Sequence, residues 1–131
     1  MAGTTTHPLA FRQTVADLVD STLSTTAKLV FRLTGTAGTP GTAVATLSMS
    51  NPAFGAADGS AVITASAITS DTNATGNASP VATATLETGA GTVVVHTTVA
   101  ASGDAINLSG GLTVGAGDTV ACSSLTYTAM P

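Results

Sequence analysis

The sequence predicts an all-β domain, an antiparallel β-sandwich or jelly-roll-like barrel of about seven to eight short strands, with one N-terminal α-helix. Three observations carry that expectation. Helical periodicity is confined to residues 9–23, period-two alternation recurs beyond residue 27, and turn residues separate the alternating segments. At 131 residues the chain fits one domain, since single domains commonly run about 100–150 residues. It reads as a flexible N-terminal arm over 1–8 followed by a single domain over 9–131.

In "LAFRQTVADLVDSTL" (9–23), Phe11, Val15, Leu18, Val19 and Thr22 fall at 3.6-residue spacing, with Arg12, Asp17 and Asp20 off that stripe. Thr6 and Pro8 supply a start signal. Phe11, Val15, Leu18 and Val19 mark a candidate assembly helix, which packs either on its own sheet or on a neighbouring subunit. "KLVFRLT" (28–34) then alternates, with Leu29, Phe31 and Leu33 inward and Lys28, Val30 and Arg32 outward. "GTAGTPG" (35–41) is turn material. "TAVATLSM" (42–49) places Ala43, Ala45, Leu47 and Met49 on one face, and "AVITASAI" (61–68) is β-branched and apolar. After the polar loop "TSDTNATGNASP" (69–80), "VATATLE" (81–87) and "TVVVHTTVA" (92–100) read as a hairpin joined by "TGAG". "AINLSGGLTV" (105–114) and "TVACSSLTYTA" (119–129) complete the set around "GAGD".

Composition narrows the function. Hydrophobic residues make up 44% of the chain and aromatics 3%, with 26 Thr, 24 Ala and no Trp. The core must therefore be built from small side chains, each contributing little at roughly 25 cal/mol per Å² buried. Charged residues are 8%, against about 25% in ordinary soluble domains. Three cations and a net charge of −4 argue against nucleic acid, whose phosphates need several cations on one face. Sparse charge and a mean hydropathy of +0.44 point to surface covered in an assembly. "MAGTTTHPLAF" lacks a signal-peptide pattern, and no run has the roughly 18 apolar residues of a membrane span.

Catalytic and metal constellations are not legible. His7 lies in the arm, His96 is a lone strand histidine, and Cys122 reads as a small buried hydrophobe. Two histidines and one cysteine give no zinc spacing, and "GAGTVV" (89–94) and "GAGDTV" (115–120) lack the third glycine and following helix of a dinucleotide site. "DTNATGNASPVA" (71–82) puts Asp71, Asn73, Thr75 and Gly76 in calcium-loop register but ends on Ala82 where a Glu belongs. That leaves a weak ion site at Asp71 and Asn73 against a loop whose side chains satisfy local backbone groups. The sequons at 73–75, 77–79 and 107–109 are incidental without a leader. Asp17 and Asp20 read as two acids on a solvated helix face. The chain is expected to be no enzyme and to need no cofactor or metal.

"MSNPAFGAADG" (49–59) sets one of three phenylalanines among turn residues. Asn51-Pro52 is expected to extend the chain ahead of a turn, Gly55 to release it, and Phe54 to plug an alanine-rich core. Pro52, Phe54 and Gly55 are thus a structural anchor, not a site.

With "DLVDSTL", "TLSMSNPAFG", "AITSDTNATG", "INLSGGLTVGAGDTV" and the terminal "SSLTYTAMP", the chain resembles a group of small virion-associated proteins of tailed bacteriophages and prophages. The resemblance spans most of the length. It departs where relatives carry a more aromatic strand and this chain has "PVATATLETG", and where "KLVFRLTG" replaces a Tyr-containing version. The resemblance implies a virion structural protein made in the bacterial host cytoplasm. The leading expectation is a capsid decoration or cement protein on the outer head surface, partnered by the major capsid protein or other virion proteins and homo-oligomeric, a trimer being one such state. A tail, collar or fibre component is the alternative. A carbohydrate-binding adhesion module is disfavoured, because sugar sites favour aromatic platforms and this chain has Tyr127 and three Phe.

Overall fold

The computed structural model describes residues 3–130; residues 1 and 2 of the expected arm, and Pro131, lie outside them. Gly3–Pro8 are exposed and belong to no helix or strand. Helix α1 runs Leu9–Leu23, followed by β1 (Lys28–Arg32), β2 (Ala43–Met49), β3 (Val62–Thr64), β4 (Ile68–Thr69), β5 (Thr83–Glu87), β6 (Val93–Ala100), β7 (Ile106–Asn107) and β8 (Thr126–Thr128). Six strands form one curled sheet in the order β4-β2-β1-β5-β6-β7, and β3 pairs with β8. The molecule is mostly β with one helix, and the mixed sheet curls into a half-barrel.

The purely antiparallel sheet expected from the sequence is corrected at one place. β7 runs parallel to β6, Val99 opposite Ile106 and Ala100 opposite Asn107. The cause is the coil at 101–105, where Gly103 takes φ +75°, a conformation that costs glycine little. Asp104 then holds the coil closed. Its carboxylate accepts from the Thr98 hydroxyl and the Ala105 N–H, and its own N–H donates to the Asn107 side chain at 3.0 Å. Of "AINLSGGLTV" only two residues become strand, and of "TVACSSLTYTA" only three.

The inward face of β1 behaves as the alternation predicts. Leu29 and Phe31 are buried and stand opposite Leu47 and Ala45 of β2 and Leu86 and Ala84 of β5. They join Leu23, Val44, Phe54 and Ile63 in one cluster. The outward face differs from expectation. Val30 is 2% exposed, because Thr85 stands opposite it and Arg32 folds over β5.

The second, smaller sheet explains the 49–59 stretch. Met49 donates to Ala27 O beside β1, while Ser66 donates to Ala53 O and Gly55 to Thr64 O beside β3. The chain thus crosses from one sheet to the other within residues 50–53. An extended approach at Asn51-Pro52 is replaced by a bend containing a cis peptide, and Pro52 is exposed. Phe54 is buried in the core cluster, 1% exposed, and bridges Ala65. Gly55 has no need to be glycine: a Cβ there would come no nearer than 3.9 Å to Thr64 O.

Candidate functional site

Helix α1 turns three faces to three environments. Ala16, Val19 and Leu23 are buried in the core cluster, so the helix packs within its own domain, touching β3 of the small sheet and β6 of the large one. A second row, Gln13, Asp17 and Asp20, grips the loop after Phe54. Asp20 Oδ1 accepts the Phe54 N–H at 2.9 Å, Asp17 Oδ1 accepts the Ala57 N–H at 2.8 Å, and Gln13 Nε2 donates to Asp58 O at 2.9 Å. The two acids read as a solvated face are instead a clasp, because the loop supplies backbone N–H groups that need acceptors.

The third face points outward. Leu18 is 59% exposed and Phe11 50%, while Val15 is half-buried beside them; Leu9, also exposed, lies instead in line with Gln13 and Asp17 on the clasp side. The His7 ring rests on Phe11 with centroids 4.9 Å apart. Of the expected assembly stripe, then, Val19 belongs to the core, Val15 lies at the margin, and Phe11 and Leu18 are surface. No charged side chain shares this row: Phe11, Val15, Leu18 and Thr22 succeed one another at spacings of four, three and four.

The carboxylates share one use. All six aspartates accept at least one backbone N–H. Besides Asp17, Asp20 and Asp104, Asp58 accepts from Ser60 and Val62, Asp71 from Thr46 and Asn73, and Asp118 from Gly115. The N–H groups of Ser60 and Val62 hold the Asp58 carboxyl below the usual carboxylate range. The Thr98 hydroxyl and then the Ala105 N–H do the same to Asp104. Each Asp71 oxygen accepts a backbone N–H, one from Asn73 in its own loop and the other from Thr46 on β2. Gly76, the calcium-loop-like glycine, takes φ +72° where the 115–116 backbone crosses at 2.3 Å from where its Cβ would lie.

The seventh acid, Glu87, is 3% exposed and pairs with Arg32 at 2.6 Å. Arg32 also donates to Thr85 Oγ1 at 3.1 Å and to Gly41 O at 2.8 Å, tying β1, β5 and the 35–41 turn together. Sequence reasoning missed this pair. Arg32 stands opposite Thr83 in register, so its acid lies diagonally along β5.

His96 is half-buried in β6, its Nε2 without a hydrogen-bond partner. Cys122 is half-buried, its Sγ 3.4 Å from Ser124 O, and burial pushes its thiol pKa up. Among the described residues no three His, Cys, Asp or Glu side chains gather as metal ligands would, and no helix is long and apolar enough to cross a membrane. The feature presented for contact is the outer row of α1. No protein-family model, curated protein or solved structure matches this chain.

Proposed function

We propose that this chain is a bacteriophage virion structural protein, a decoration or cement protein that binds the outer head surface and stabilises the shell. The observation that carries the reading is the outer row of α1. A helix pinned to its own domain by a buried face and a polar clasp still offers Phe11 and Leu18 to a partner. Apolar anchors on a rigid support are what an extensive protein contact uses. The sequence resemblance supplies the setting, a tailed-phage particle, and the sparse charge fits a surface made for protein rather than nucleic acid.

Localisation in purified particles tests it. Density of this protein over the capsid lattice is the expected result. Its presence only at the tail or vertex complex overturns the head assignment in favour of a tail, collar or fibre component. The combined change Phe11→Ser and Leu18→Ser should weaken binding to expanded capsids at least about tenfold, as loss of two anchors implies.

A further inference from the structure

The half-barrel does not close. β7 ends the large sheet, β8 ends the small one, and a groove lies between them. It holds a cavity of about 210 Å³ lined in part by Leu29, Leu86, Val95, Ile106, Leu125 and Tyr127. A second cavity of about 450 Å³ shares Ala105, Ile106, Leu125 and Thr126 with the first and reaches Phe31. Leu29 lines the first and Phe31 the second, so both cavities border the buried inward face of β1.

One wall of this groove is an unpaired strand edge. Ala65 donates to Leu125 O, and Ala129 donates to Ala61 O. Residues 125, 127 and 129 are therefore the hydrogen-bonded positions of the antiparallel pair, and Thr126 and Thr128 turn their N–H and C=O groups away from β3. Among the described residues β8 has no strand on that side. An apolar floor beside an open edge is what an added strand requires: main-chain bonds to the edge, and alternate side chains into the floor.

Charge selects the occupant. The smaller cavity has no Asp, Glu, Lys or Arg in its lining, and the larger has Asp118 alone. A charged segment would be desolvated there without a counter-charge. Gly3–Thr6 is uncharged, exposed and outside every helix and strand, and its three consecutive threonines favour extended backbone. Four extended residues span about 13 Å, enough to run the length of the three-residue β8.

We propose that the groove between β7 and β8 accepts the Gly3–Thr6 arm of a second copy as an added strand, joining copies head to tail. Such a contact is heterologous, so copies form a ring if the rotation closes. The inference deepens the homo-oligomeric part of the virion reading and rests on it for copies being brought together. Its test uses the purified chain without any particle, so its failure leaves the head assignment standing.

Two full-length variants separate the two halves of the contact. Thr5→Pro with Thr6→Pro removes two of the arm's four N–H groups, and so one of the two that face the edge whichever alternate residues do so. Thr128→Pro removes a groove-side donor that β3 does not use, a position where an edge strand tolerates proline. By analytical ultracentrifugation the parent chain should be oligomeric, and each variant monomeric with unchanged far-UV circular dichroism. Mixing the two should give a 1:1 dimer that grows no further, since one good groove and one good arm remain. A synthetic peptide of residues 1–8 should dissociate the parent oligomer, an outcome that needs no variant to fold. A monomeric parent, an arm variant that associates like the parent, or a peptide without effect overturns the proposal.

Discussion

Every large side chain that is fully buried, from Leu23 and Phe31 to Val81 and Thr85, lies before residue 100. Beyond it the chain buries Val114, Val120 and Ala129 and forms strands of two and three residues. The earlier region is held by apolar burial, with the polar clasp and the Arg32–Glu87 pair added to it. The later region is held by turns, among them Gly103, Gly111 and Gly117 at positive φ and the carboxylates of Asp104 and Asp118. Burial makes a region cooperative, because removing one side chain leaves a hole that many neighbours line. Turn-held structure is local, so its parts can open separately.

The sharpest way to break this contrast is a pair of truncations. Phe54→Ala should destabilise by about 3–5 kcal/mol, as expected for a fully buried ring. Leu125→Ala, at a half-buried position of the later region, should cost only about 1 kcal/mol. Urea unfolding of both variants measures the difference, and equal costs would erase the distinction between the regions.

Next in size is the buried pair. Glu87→Ala strands the largely buried Arg32 guanidinium and should cost about 3 kcal/mol. The double change Arg32→Met and Glu87→Leu should recover most of it, since apolar replacements of similar volume are often neutral. A double variant as unstable as the single one would show that the link to Gly41 O, not charge compensation, is what matters.

Asp20→Ala removes the acceptor for the Phe54 N–H and should cost about 1–2 kcal/mol. Asp17→Ala, at an exposed site, should cost less, so the clasp is graded along the helix.

The smallest effect is acid sensitivity, which both regions should share. The carboxyls of Asp58 and Asp104 titrate lower folded than unfolded. Their stabilisation is therefore complete above the ordinary carboxylate value near 3.9 and is lost as pH falls through the folded value. Asp58→Asn and Asp104→Asn should each flatten the fall in urea midpoint below about pH 4, and an unchanged slope in either would remove that residue from the account.

The regions also differ in how far they could be read from sequence. Helix α1 has the expected bounds because its periodicity is local, and β6 and the turn at 88–91 follow from alternation and glycine placement. Phe54 was legible through its neighbours, a lone aromatic in a chain short of large core residues. The clasp was not, since Asp17 and Ala57 lie 40 residues apart and Asp20 and Phe54 lie 34 apart. The same holds for Arg32 and Glu87, which lie 55 apart and meet only through the β1–β5 register. The parallel turn into β7 depends on a five-residue coil, where alternation carries no signal.

The chain's acidic balance has a kinetic consequence. With Arg32 and Glu87 neutralising each other, two cations and six carboxylates leave the full net charge of −4 to generate the long-range field, since accepting a backbone N–H leaves a carboxylate charged. A cationic partner patch is therefore drawn in and an acidic one repelled. Salt screens that field beyond about 8–10 Å, so encounter with a cationic patch should slow toward the unsteered range of about 10⁵–10⁶ M⁻¹s⁻¹ as salt is added. Whatever this protein grips, it meets through a weak acidic field and keeps by contact.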